Sequence, residues 1–255
     1  MDIFVSTIVC FLGQFSPEFL SLLTFLVCGV VLLFFVRYFG APGLYVYNSI
    51  AIVVANIQVL RLAKFSFSPE PMALGTVVFA TTFLASDILA EHYGAKAARQ
   101  ALALSFLSQI FVTTLMILTL GHPSLDDPLS SNPISVDRAM TTLFVPSLRF
   151  LWASLIAYAI SQLFDIWLFQ KIRELSQSRF LWLRQNVSTL LSGLLDNFIF
   201  SIIAWVILNP TPIDYYTLMV SYVFGSYLLR FLVNLGGTPV MYLSYYMHSK
   251  QTLTH

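Results

Sequence analysis

Eight polar residues interrupt otherwise apolar sequence, and theirs are the types and spacings that could do chemistry: Asn56, Asp87, Glu91, Gln162, Asp165, Asp196, Asn197 and Arg230. A charged group inside a lipid-spanning segment costs about 2.5–3.5 kcal/mol on insertion scales, so each requires a partner or a task. Asp87 and Glu91 stand four residues apart in Ala85-Ser-Asp-Ile-Leu-Ala-Glu-His-Tyr-Gly94. That spacing puts both acids on one helix face, where like charges repel unless a cation or a proton is shared. The same pair could instead end a helix at the interface and meet Lys96 and Arg99. Tyr158, Gln162, Asp165 and Phe169 form one stripe at helical periodicity, mixing aromatic surface with hydrogen-bonding groups. It suits a flat polar ligand or a polar clamp between helices. Asp196 and Asn197 fall in mid-span, where a short carboxylate has no snorkelling route. An ion pair from Asp196 to Arg230 is the plainest structural reading, yet it leaves Gln162, Asp165 and Asn197 without a role. Asn56 fits a packing hydrogen bond as well as a ligand contact.

Other chemistry is excluded by what the chain lacks. There is no Walker A loop, HExxH or GxSxG, and His92, His122, His248 and His255 are isolated from one another and from any cysteine. ATP hydrolysis by this chain is therefore ruled out; no cofactor, metal or enzymatic activity is expected. Cys10 and Cys28 lie in apolar sequence without metal-ligand spacing. A net charge of +1 argues against nucleic acid as a partner.

The elements that must hold these residues follow from composition. With 58% hydrophobic and 10% charged residues among 255, and a mean hydropathy of +0.80, a water-soluble domain is excluded. The pattern predicts an all-α, polytopic integral membrane bundle, since a helix satisfies its own backbone in lipid. Predicted spans are Phe19–Val36, Leu44–Leu60, Met72–Leu89, Ala101–Leu120, Phe150–Phe169, Val187–Leu208 and Tyr215–Val233. The first lacks a basic leader and a small-residue cleavage site, so it reads as retained. Continuation of the last past Pro239 to Met247 would overshoot the bilayer, which predicts a kink or an interfacial tail there. Residues Gly121 to Pro146 read as an exterior loop. Eight basic residues (Arg37, Lys96, Arg99, Lys171, Arg173, Arg179, Arg184, Lys250) face four (Arg61, Lys64, Arg138, Arg149) across the spans. This bias places the N-terminus outside and the C-terminus in the cytoplasm of the plasma (inner) membrane. Small residues at four-residue spacing, as at Ala51/Ala55, Ala153/Ala157/Ser161 and Ser188/Ser192, predict close helix packing.

Three segments carry a family resemblance: Gly75 to Arg99 with its Asp-Ile-Leu-Ala-Glu-His-Tyr-Gly core, Ala153 to Asp165, and Leu183 to Phe200. Through them the chain resembles the queuosine precursor transporter family, also called the vitamin uptake transporter family, over roughly residues 44 to 246. The resemblance implies a six-helix carrier, similar in shape to the substrate-binding subunits of energy-coupling-factor transporters, that imports 7-deazaguanine bases without its own ATPase. It divides the chain into an extra N-terminal helix (1–40), the transporter core (41–248) and a cytoplasmic tail (249–255). It also implies site roles for Asn56, Asp87, Glu91, Gln162, Asp165, Asp196 and Arg230. The chain departs from the family pattern at Arg230, where Lys is usual, and at Ala90, where Asn is common.

Such a ligand suits the residues on chemical grounds too. Adjacent N–H donors on the pairing edge of a deazaguanine match one carboxylate, Asp196 or Asp165, and its carbonyl takes a donor from Gln162, Asn197 or Arg230. Aromatic faces stack the ring. Three functional readings follow. One is a carrier working by alternating access, with Asp87 or Glu91 available for proton coupling. Another is a substrate-binding subunit docked on a separate ATPase module through the Ala51/Ala55 face. The third is a structural protein whose acids merely pair with Arg230.

Overall fold

The computed structural model describes residues 2–67, 71–123, 133–144, 147–208 and 226–252. They form nine helices: α1 (Asp2–Leu12), α2 (Pro17–Tyr38), α3 (Gly40–Gln58), α4 (Gly75–His92), α5 (Ala95–Leu120), α6 (Pro133–Phe144), α7 (Ser147–Leu175), α8 (Leu181–Ser201) and α9 (Ser226–Thr252). The polypeptide is thus an all-α, multi-pass membrane bundle. Local chemistry sets the boundaries. Ser16 caps α2 by accepting the Phe19 N–H at 3.3 Å, and Pro17 follows at the first helical position. Gly40, at φ +60°, turns α2 into α3 where a Cβ would meet the Tyr93 hydroxyl at 2.9 Å. Between α7 and α8 the chain reverses through Gln177, Ser178 and Phe180, all at positive φ.

Five helices are long and apolar enough to cross a membrane: α2, α3, α5, residues Trp152–Leu175 of α7, and α8 continued to Ala204. The expected spans at α4 and α9 fall short of that measure because they carry much of the polar machinery, including Asp87, Glu91 and His92 on α4 and Arg230, Asn234 and Thr238 on α9. α4 is instead the axis of the bundle, with every residue from Val77 to Ala90 buried. Large apolar side chains such as Leu107, Phe111, Trp152, Leu163 and Trp167 point outward. Buried positions meanwhile include Thr81, Ser86, Asp87, Ser161, Gln162 and Asp165. That distribution belongs to a protein solvated by lipid, where polar groups gain by facing one another.

Several expectations are corrected. The Gly121–Pro146 stretch is not all loop: residues 133–144 form α6, started by Pro133. Residues 124–132 lie outside those described. The third span begins at Gly75, three residues late, because Met72 and Ala73 pair as a short antiparallel strand with Ala63 and Leu62. The last helix continues through Pro239 as far as Thr252, beyond the Met247 considered from sequence. Just before the proline, Gly236 sits against Phe25 of α2, and Gly237 against Leu84 of α4 and Gln185 of α8. The expected start of that span, 215–225, lies outside the described residues. α2 is integrated with the remainder, burying Phe25, Gly29, Leu32 and Val36 against α3, α4 and α9.

Candidate functional site

α7 and α8 run antiparallel, and their facing side chains meet at four-residue steps: Ser161 with Asp196, then Asp165 with Ser192. Four residues of helix rise about 6 Å, so the polar groups stack in levels along the bundle. α4 and α9 close the remaining sides.

At the first level, Asp196 Oδ2 pairs with Arg230 Nη1 at 2.6 Å, and Asp196 Oδ1 accepts a hydrogen bond from Ser161 at 3.0 Å. The same guanidinium donates to the Gly193 carbonyl at 3.4 Å and lies over the Phe79 ring, 4.9 Å from its centroid. Phe79 in turn meets Tyr158 edge to face at 5.3 Å. The Asp196–Arg230 pairing foreseen from sequence is therefore present, though it is one layer of a larger arrangement. Asn197 is buried next in sequence to Asp196.

One turn along, Asp165 Oδ1 accepts from Ser192 at 2.8 Å and Asp87 Oδ2 accepts from Thr189 at 2.9 Å. These acids, fully buried, are held by hydroxyls three residues apart on one face of α8, which sets them side by side. Gln162 shares the stripe with Asp165 and is completely inaccessible. Five side chains of this region leave buried polar atoms without a hydrogen-bond partner: both amide atoms of Gln162, the Tyr158 hydroxyl, Asp87 Oδ1, Asp165 Oδ2 and Arg230 Nε. Buried polar groups in folded proteins are overwhelmingly satisfied, because each orphan costs about 1–3 kcal/mol. Such a concentration of donors and acceptors has the chemistry to hydrogen-bond a further polar molecule. Beside it is a small hollow lined by Ala80, Phe83, Thr189, Gly193, Tyr227 and Arg230, into which a Cβ at Gly193 would meet nothing within 4 Å.

At the third level Glu91 is fully engaged. Arg184 grips it with two hydrogen bonds, Nη2 to Oε1 at 2.7 Å and Nε to Oε2 at 3.1 Å, with both side chains almost inaccessible. Arg184 also donates to the carbonyls of Ser178 and Arg179, fastening the α7–α8 turn. Lys96 and Arg99, the partners of the alternative reading, are not the ones used. Asn56 is likewise occupied elsewhere, donating to the Ile52 carbonyl at 2.9 Å and to Gln109 of α5 at 3.3 Å. Of the eight candidates, the structure brings Asp87, Gln162, Asp165, Asp196 and Arg230 together and sets Asn56 and Glu91 in packing contacts.

Sequence reasoning missed the hydroxyls Ser161, Thr189 and Ser192: the two serines appeared only as small packing residues, and Thr189 not at all. It also missed a network joining α8 to α9. Gln185 donates to Asn234 at 2.8 Å, Asn186 to Thr238 at 2.8 Å, and Thr238 back to Gln185 at 2.9 Å. The four-residue spacing of Asn234 and Thr238 was the available signal. The small face Ala51/Ala55 is covered from within: α4 approaches so closely at Gly75 that a Cβ there would collide with the Ala55 carbonyl.

Residues 73–244 match the family model described as "putative vitamin uptake transporter". A curated protein of Bacillus subtilis (strain 168), named "probable queuosine precursor transporter", is 34% identical over 215 residues, covering 84% of this chain and 88% of that protein. No solved structure matches.

Proposed function

The chain belongs to the vitamin uptake transporter family, and from that premise we propose that it is a carrier importing a queuosine-pathway 7-deazaguanine base across the plasma (inner) membrane. The observation that carries this reading is the set of unpartnered atoms on Gln162, Tyr158, Asp87 and Asp165. A primary amide offers one donor and one acceptor side by side, the complement of a lactam edge with its carbonyl and adjacent N–H. A carboxylate accepts the paired N–H donors of a guanine-like edge. Phe79, Phe83 and Tyr158 supply ring surface, and Arg230 supplies a cation above Phe79. The amide and carboxylate of this site thus match the ligand edge by edge.

In this reading Gln162 and Asp165 contact the base. Asp196 orients Arg230, and Asp87 completes the acidic wall. Alternating access opens the α7–α8 pair against α4 and α9, with the N-terminus outside and the C-terminus cytoplasmic. Glu91 and Asn56 hold helices together and touch no ligand. The structural reading accounts for Asp196 and Arg230 alone and leaves the second level unexplained. Docking on an ATPase through Ala51/Ala55 finds that face already packed against α4.

The test is uptake of labelled queuine and its aminomethyl precursor in cells unable to make either, comparing the intact chain with Asp196→Asn and Asp165→Asn at matched membrane abundance. Uptake by the intact chain, lost in both variants, is expected. No uptake of either base by correctly inserted protein would refute the queuosine assignment.

A further inference from the structure

Charge in the buried core does not balance. Asp87, Glu91, Asp165 and Asp196 face two guanidinium groups, and each of these is committed: Arg184 to Glu91, Arg230 to Asp196. Among the described residues, neither Asp87 nor Asp165 is in an ion pair. They are 1% and 0% exposed, stand side by side, and accept hydrogen bonds from Thr189 and Ser192, three residues apart on α8. The remaining oxygens, Asp87 Oδ1 and Asp165 Oδ2, have no donor at all.

Two ionised carboxylates side by side in a low-dielectric interior repel too strongly to persist. A single proton between them removes one charge and turns one orphan oxygen into a donor for the other. The surroundings offer no substitute. α4 contributes Ser86 and Glu91, the latter held by Arg184. α7 contributes Gln162, and α8 contributes Ser188, Thr189 and Ser192. α9 contributes Arg230, tied to Asp196. α3 reaches in with Tyr47, bonded to Thr81, and Asn48, bonded to Ser86, and α5 faces the core with Ser105 and Gln109.

We infer that Asp87 and Asp165 share one proton and that this proton crosses with the ligand, so that transport by this chain is driven by the proton gradient. The coupling half of the inference rests on the carrier reading above; the shared proton does not.

The first experiment needs no substrate. Infrared spectra of the purified chain in lipid vesicles at neutral pH are expected to show a protonated-carboxyl C=O band that disappears on alkaline titration. Asp87→Asn and Asp165→Asn are each expected to remove it, and Asp196→Asn to leave it. Absence of the band, or its survival in both dyad variants, would overturn the shared proton even if other substitutions fail to fold, since the intact protein is titrated too.

The second experiment measures queuine accumulation by the intact chain in vesicles with an inward pH gradient. One proton per base and a one-unit gradient support about tenfold accumulation, from 1.36 kcal/mol per pH unit. A protonophore is expected to abolish it. Accumulation unaffected by protonophore would overturn the coupling. A normal infrared band with no queuine transport would instead refute the queuosine reading and the coupling together, and leave the shared proton standing.

Discussion

Replacing Gln162 by Leu separates a ligand-binding amide from a packing one. Gln162 is fully buried with neither amide atom bonded, and an unsatisfied buried polar group costs about 1–3 kcal/mol. Leucine keeps most of the volume and removes that penalty, so the empty protein should gain about 1–3 kcal/mol, a factor of roughly 5 to 150 in its unfolding equilibrium. Bound base gives the intact protein an opposing signature. Queuine at 100 times its Kd should stabilise it by about 2.7 kcal/mol, an increment the variant should lack. Unfolding in mixed micelles with and without queuine reads both terms, and uptake in cells reads the function. The expected outcome is a more stable, inactive protein. A variant that is destabilised yet still transports would refute the reasoning, because the amide would then be a structural hydrogen-bonding group.

Three further outcomes are expected. Arg184→Met should destabilise the fold by about 3–5 kcal/mol, since Glu91 is left buried and uncompensated, and adding Glu91→Leu should restore part of that loss; unfolding of the single and double variants measures the coupling. Gly75→Ala should cost about 1–3 kcal/mol and lower membrane yield, because the new methyl meets the Ala55 carbonyl. Arg230→Lys should keep the pair with Asp196 but lose the planar contact with Phe79, shifting relative uptake of queuine and the aminomethyl precursor more than stability.

Much of the arrangement was legible in the chain because periodicity is local. The Tyr158–Gln162–Asp165 stripe, the depth of Asp196 and the helical class all follow from residues within a few turns of one another. What stayed hidden depends on partners far apart in sequence. Glu91 chose Arg184, 93 positions away, over the nearby Lys96 and Arg99, and nothing local distinguishes a cation that folds inward from one in a loop. The α8–α9 amide network hid for the same reason. Helix α6 and the two-residue hairpin were obscured because short elements owe their existence to packing against larger ones. α4 and α9 were recognised as helices, but their role as the polar interior emerges only when five more apolar helices surround them.

The serine spacing on α8 has a mechanical consequence. Ser188 and Ser192 are both completely buried and four residues apart, and Ser192 donates to Asp165. A slide of α8 along α7 by one turn, about 6 Å, would bring Ser188 to the place Ser192 now holds. Asp165 would exchange one hydroxyl for an identical one, while Asp196 would leave Ser161 behind. The two helices therefore form a vernier with a repeated tooth: at Asp165 two registers are nearly degenerate in hydrogen bonding, while the Asp196–Ser161, Asp87–Thr189 and Glu91–Arg184 contacts report which has been taken.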